Sequence, residues 1–192
     1  PSTGVISTNL EAEYGWNYEL GLSKTMGRWQ HRFQFDITGF YFKLNNALVQ
    51  RRDLSGADFF TNAGNVREKG VESQLHYSHN ASSLSFVDYL SATFAYTYNH
   101  FRYGSFIKGT DDFSGKTVPS VPSNTLSVLA DAQLKNGIYT NLTFYIASKI
   151  FLNDANTAVA EDYQLLGCRI GWKKLLQSKY KLNFYAGADN LL

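Results

Sequence analysis

The chain has 192 residues, of which Tyr, Phe and Trp make up 16% and Asp, Glu, Lys and Arg 18%, with three prolines; that mix favours strands over helices. Its formal charge of +2 is too small for a nucleic-acid surface, and its single cysteine, Cys168, excludes an internal disulfide framework and a cysteine-based zinc site. No run of about eighteen apolar residues occurs, which excludes a membrane-spanning helix. A membrane β-barrel leaves no such run either, so the mean hydropathy of -0.28 does not argue for solubility.

From Tyr14 to Leu22 the even positions are Tyr14, Trp16, Tyr18, Leu20 and Leu22, and the odd ones Gly15, Asn17, Glu19 and Gly21. This period of two predicts a strand with one apolar and one polar face. The alternation returns from Trp29 to Tyr41, with Phe33, Phe35 and Ile37 against Gln30, Arg32, Gln34 and Asp36. It recurs over Val71 to Tyr77, Leu90 to Tyr98, Leu126 to Leu134, Ile138 to Ile146, Leu166 to Trp172 and Leu182 to Ala188. About eight strands are predicted, many longer than the roughly 10 residues that cross a bilayer.

The connections alternate between two lengths. Short ones fall near Met26 to Gly27, Asn80 to Ser83, Lys135 to Gly137 and Leu175 to Ser178; long ones run from Asn45 to Phe59, Gly104 to Val121 and Ile150 to Glu161. An antiparallel meander with short turns at one end and long loops at the other is the plan of an outer-membrane barrel. The apolar register also has a depth order. Tyr14, Trp16, Tyr41, Tyr96 and Tyr98 lie near the long loops and Trp29, Tyr77, Trp172 and Tyr180 near the short turns, around a band that includes Leu20, Phe33, Phe35, Phe94, Val128, Leu142, Phe144 and Ile170. Two aromatic girdles about an aliphatic and Phe belt match the two interfaces of a membrane. Arg67, Lys69, Asp88 and Arg102 are expected on this face near strand ends, where a charge costs little. A soluble β-sandwich also alternates but does not need this depth order.

Four segments carry a family resemblance: AEYGWNYELG at 12–21, NAGNVREKGVE at 62–72, VPSVPSNTL at 118–126 and GADNLL at 187–192. In this order they resemble the Glu and Tyr-Glu-x-Gly segment, the Asn-x-Gly and Gly-Val-Glu strand, the Pro-led strand entry and the penultimate strand of the barrel of TonB-dependent receptors. The resemblance implies a barrel of about 22 strands closed by an N-terminal plug. Residues 1–192 would be the C-terminal part of that barrel, lacking the plug, the TonB-binding box, the early strands and the closing strand. Such a protein takes up a scarce ligand, most commonly a ferric chelate and less often cobalamin or an oligosaccharide, across the bacterial outer membrane. Its partners would be that ligand, TonB through the plug region, and outer-membrane lipid; no cofactor and no nucleic acid are implied. Two other classes are a passive channel or small anchoring barrel, against which the ending at Leu192 argues, and an outer-membrane barrel enzyme.

Chemical motifs are few. GTDDFSGKT at 109–117 has one residue too many between its outer glycines for a phosphate-binding loop and runs into VPSVP, which cannot open a helix. His76 and His79, three apart on a strand, take opposite faces, while His31 and His100 stand alone, so no metal site is expected. Cys168 takes the apolar register as a small hydrophobe. The polar register holds Asn17, Glu19, Arg32, Gln34, Asp36, Glu72, Gln74, His76, Asp131, Gln133, Arg169, Lys181 and Asn183, a lining for water or a plug. Phe40 and Phe42 interrupt it, either to pack or to touch a substrate or plug. Substrate contacts are expected in the two longest rim loops, with Arg51, Arg52, Tyr103 and Lys108 as the candidate residues, and no catalytic residue is assigned.

Overall fold

A computed structural model describes residues 10–52, 56, 58–62, 64–80, 86–108, 110–176 and 180–192. The strands are β1 (Tyr14–Arg28), β2 (His31–Asn45), β3 (Leu48–Arg52), β4 (Asp58–Asn62), β5 (Asn65–Asn80), β6 (Val87–Tyr103), β7 (Ile107–Lys108), β8 (Asp111–Asp112), β9 (Asn124–Leu134), β10 (Ile138–Ala147), β11 (Ile150–Phe151), β12 (Val159–Ala160), β13 (Tyr163–Leu176) and β14 (Tyr180–Ala188). The described residues contain no helix. Eight of these strands form one antiparallel sheet in the order β1-β2-β5-β6-β9-β10-β13-β14, and the other six pair into three short hairpins, one inside each of the three long connections. The eight predicted strands are therefore present as one uninterrupted meander.

Register settles the faces. One row across the sheet reads Lys24, Phe35, Leu75, Phe94, Val128, Phe144 and Leu166, and a neighbouring row on the same face reads Met26, Phe33, Tyr77, Ala92, Ala130, Leu142, Cys168 and Ala188. The intervening row belongs to the other face: Thr25, Gln34, His76, Thr93, Leu129, Thr143 and Gly167. Leu20, Phe35, Phe94, Leu142 and Ile170 thus share the apolar face and Glu19, Asp36, Glu72 and Arg169 the polar one, as the alternation requires. The apolar face is uncovered; Leu20 is 84% exposed and Trp16 68%. A surface of that size and composition belongs against hydrocarbon.

Three local expectations change. The first reversal is at Trp29 and Gln30, not at Met26 to Gly27, because β1 keeps alternating through Arg28 and Trp29 takes the turn at φ 60°. Asp88 leaves the apolar register: β6 carries an extra residue between Val87 and Tyr89, and the Asp88 carboxylate accepts a hydrogen bond from Gln133 Nε2 at 2.6 Å. His31 does not stand alone, for it is the cross-strand neighbour of His79, with ring centroids 4.5 Å apart. The turn at Lys135 to Gly137 is as predicted, with Gly137 at φ 93° and its N–H donating to Leu134 O. Parts of the other two short connections, residues 81–85 and 177–179, lie outside the described residues.

Candidate functional site

The small buried core of this chain lies under the long loops. Leu44, Val66 and Tyr103 form one cross-strand row at the long-loop end of β2, β5 and β6, in the register of the polar face. Sequence alternation there yields apolar side chains where polar ones line the rest of the face, and the loops use them. Ala47 from the first loop and Phe106 from the second bury themselves beside Val66 and Tyr103, with Phe113 and Val118 packed around them. Tyr103 and Phe106 have ring centroids 4.8 Å apart, Phe106 and Phe113 5.4 Å. Burial on this side of the sheet draws the loops over the polar face, which is the mouth of a barrel closed from such strands.

Polar contacts fasten the loops to one another. Gly104 N–H donates to Asn65 O at 2.8 Å, and Asn65 Oδ1 accepts from Ser105 N–H at 3.2 Å, joining the end of the first loop to the start of the second. The second is tied to the third by Tyr103 Oη donating to Asp154 Oδ1 at 2.6 Å, Lys116 Nζ to Ala155 O at 2.9 Å, and a reciprocal pair between Thr117 and Asn156. The first loop also holds the segment before β1, since Asn46 and Asn62 bond Glu11 and Leu48 N–H donates to Glu13. The segment that superficially resembles a phosphate-binding loop is one arm of this assembly. Just after β8, where Phe113 N–H donates to Phe106 O at the base of the hairpin, the chain turns with Ser114 N–H donating to Asp112 Oδ1 at 2.8 Å. Those Ser114 bonds hold the Asp112 carboxyl below the ordinary aspartate range.

The four predicted contact residues separate. Lys108 is exposed at the end of β7, its ammonium 5.9 Å from the centre of the Phe59 ring. Phe59 is the cross-strand partner of Arg51, and Arg52 is opposite Asp58, so the fold gathers Lys108 and the two arginine positions at one place on the rim. The side chains of Arg51 and Arg52 lie outside the described residues. Tyr103 is only 1% exposed, with its hydroxyl on Asp154, so it supports the loops from beneath. Phe59 was missed in the sequence, because only the β3–β4 pairing reveals what it faces.

Below the loops the polar face carries a graded charge. Glu19, Glu68 and Glu72 line a recess of about 300 Å³ with Asn17, Thr38, Phe40 and Phe42. Toward β13 and β14 the charge is basic, with Arg169 5.1 Å from the Tyr185 ring centre and Lys173 5.7 Å from that of Tyr139. Phe40 lies over Gly70, where a Cβ would strike its ring, and meets Phe101 edge-on at 6.2 Å. Phe42 covers Gly15 in the same way. Phe40 and Phe42, which interrupt the polar register of β2, are therefore aromatic rings filling the gaps left by glycines on the next strand. His76 bonds Thr93 at 2.9 Å, and no cluster of three or more metal-ligating residues occurs among the described residues.

The profile of the family described as "TonB dependent receptor-like, beta-barrel" matches residues 1–191. The chain belongs to this family. Two solved structures are similar: the apoprotein of the F5-1 variant of the FrpB iron transporter from Neisseria meningitidis, with a TM-score of 0.64 and 18% identity over 98% of this chain, and the F3-3 variant of FrpB from the same organism, with a TM-score of 0.58 and 16% identity over 95%. At this identity the likeness establishes the fold. The chain spans 28% of the length of each of these structures. As part of a TonB-dependent receptor barrel it is a component of the bacterial outer membrane, and the family is one of transport barrels, not enzymes.

Proposed function

We propose that this chain is the C-terminal part of a TonB-coupled outer-membrane receptor that takes up a scarce ligand, a ferric chelate first among the candidates, through a barrel of about 22 strands closed by a plug. The observation that supports this reading is the packing of the first two long loops on the polar-face row of Leu44, Val66 and Tyr103, together with the approach of Lys108 to Phe59, the cross-strand partner of Arg51. A cation and an aromatic ring side by side suit an anionic, partly aromatic chelate. The naming of the two similar structures as iron transporters favours iron over the other cargoes of the family.

The ligand arrives from outside, so its first contacts come from the rim, before the plug moves. Loop 46–64 and loop 104–123 supply them, and Tyr103 acts from below by holding both loops in place. The test is ligand binding and uptake by the full-length receptor with each loop shortened in turn, after normal membrane insertion has been confirmed. Weaker binding with either loop shortened is the expected result. Unchanged affinity in both would move the site to the plug or to other loops.

A further inference from the structure

At the long-loop end, the apolar face is basic. Lys43 stands directly opposite Arg67, and Arg67 directly opposite Arg102, across β2, β5 and β6. One row closer to the middle of the sheet, Tyr41, Lys69 and His100 stand side by side. Adjacent strands are about 4.8 Å apart and alternate residues about 7 Å, so four permanent cations occupy a patch roughly 10 Å by 7 Å. The two rows continue onto β1 as Trp16 and Tyr18 and include no Asp or Glu. Like charges directly opposite one another destabilise a sheet, and a lipid-facing surface gives them little relief. Arg102 is oriented by donating from Nη1 to Gly115 O at 2.7 Å and from Nε to His100 Nε2 at 3.1 Å.

A second, independent feature adjoins the patch. In the next row, Gly39 sits between Leu20 and Val71, and nothing lies within 4 Å of where its Cβ would be. Around Gly39 is a mainly apolar recess of about 500 Å³ bounded by Tyr18, Leu20, Tyr41, Lys69, Val71 and Tyr98, with Glu19, Phe40 and Gly70, which belong to the opposite register, completing its lining. A cationic cluster at headgroup depth, flanked by interfacial tyrosines and opening onto an apolar groove that runs toward the bilayer, has the polarity of an acylated anion.

We propose that this patch binds a phosphorylated, acylated lipid of the outer leaflet, with its phosphates on Lys43, Arg67, Lys69 and Arg102 and an acyl chain in the recess over Gly39. Guanidinium groups grip phosphate bidentately, and the bound anion removes the repulsion within the Lys43, Arg67 and Arg102 row. The site lies on the outer wall of the barrel, touching the second rim loop only where Arg102 meets Gly115 and Thr117, and does not depend on which ligand the receptor imports.

The test uses the full-length protein, purified in detergent and stripped of lipid, titrated with bisphosphorylated lipid A and with the same lipid after removal of its phosphates. Wild-type protein should bind the phosphate-free lipid roughly a hundredfold more weakly, as expected for losing three or four contacts with cations. The Lys43→Gln/Arg67→Gln/Arg102→Gln variant should bind the intact lipid with a similar loss. Lys174→Gln, which removes a cation from the same face at the opposite end, should bind normally. Gly39→Phe, which fills the recess, should weaken binding at least tenfold. Folding of each variant is checked by the faster migration of the unboiled barrel on gels. Equal binding of the two lipids by wild-type protein would overturn the proposal without any variant. So would an unchanged affinity in the folded triple variant or in Gly39→Phe, or displacement of the lipid by an equal concentration of inorganic phosphate.

Discussion

Tyr103 ends β6 in the register of the polar face, yet its ring is buried and its hydroxyl reaches across to the third loop. Tyr103→Phe keeps the ring packing and deletes one hydrogen bond to a carboxylate, a loss of about 1–2 kcal/mol felt locally. The Thr117 amide, which donates to Asn156 in the same junction, should then exchange with solvent roughly tenfold faster in the full-length protein. Unaltered exchange would show that the second and third loops are held by other contacts. Glycines offer a sharper contrast. A Cβ at Gly70 would overlap the Tyr98 carbonyl oxygen and the Phe40 ring, whereas one at Gly39 meets open space. Gly70→Val should therefore sharply reduce the heat-modifiable barrel recovered from membranes, and Gly39→Ala should leave it unchanged; equal yields would contradict this account of Phe40.

At the scale of elements, strand pairing and loop chemistry make separate demands. The alternation commits each strand to two faces, so single cysteines at 94 and 97, introduced with Cys168→Ser, should differ in kind. Position 94 should react with lipid-soluble reagents and position 97 with water-soluble ones; the reverse pattern would invert the assignment of faces. The turn at the base of the β7–β8 hairpin uses an exposed carboxylate. Because Ser114 lowers the pKa of Asp112, that group's contribution to the turn is present above the unfolded value and is lost as pH falls through the lowered folded value. The loop's resistance to proteolysis should hold from neutrality down to about pH 4 and weaken only below it. Loss of protection already near pH 6 would mean that another group controls this turn.

For the whole molecule, the sheet has two edge strands, β1 and β14, and one wide uncovered apolar face. Both features promote association in water. The 192-residue chain by itself should accordingly need detergent or lipid to stay dispersed. A monodisperse detergent-free preparation with a sharp thermal transition would contradict a membrane-facing surface. The polar face, acidic at Glu19, Glu68 and Glu72 and basic at Arg169 and Lys173, gives the arc an electrostatic direction within the barrel.

Much of this could be read without coordinates, because side-chain alternation is a property of a single strand. Leu20 against Glu19 and Phe35 against Asp36 need only the period of two, and the aromatic girdles need only position along each strand. The long loops were legible as interruptions of that period. What one strand cannot determine is its neighbour's register, which the turns and the loop packing set together. Lys43, Arg67 and Arg102 are therefore scattered basic residues in the sequence and a continuous row only in the sheet. Phe40 and Gly70 are partners for the same reason, and the extra residue that turns Asp88 toward Gln133 is visible only where β6 meets β9. The loop core is a further product of tertiary structure. Tyr103 looked like a contact residue on an open rim, and the apolar row it forms with Leu44 and Val66 across β6, β2 and β5 made it more favourable to bury the ring and pack the loops against it.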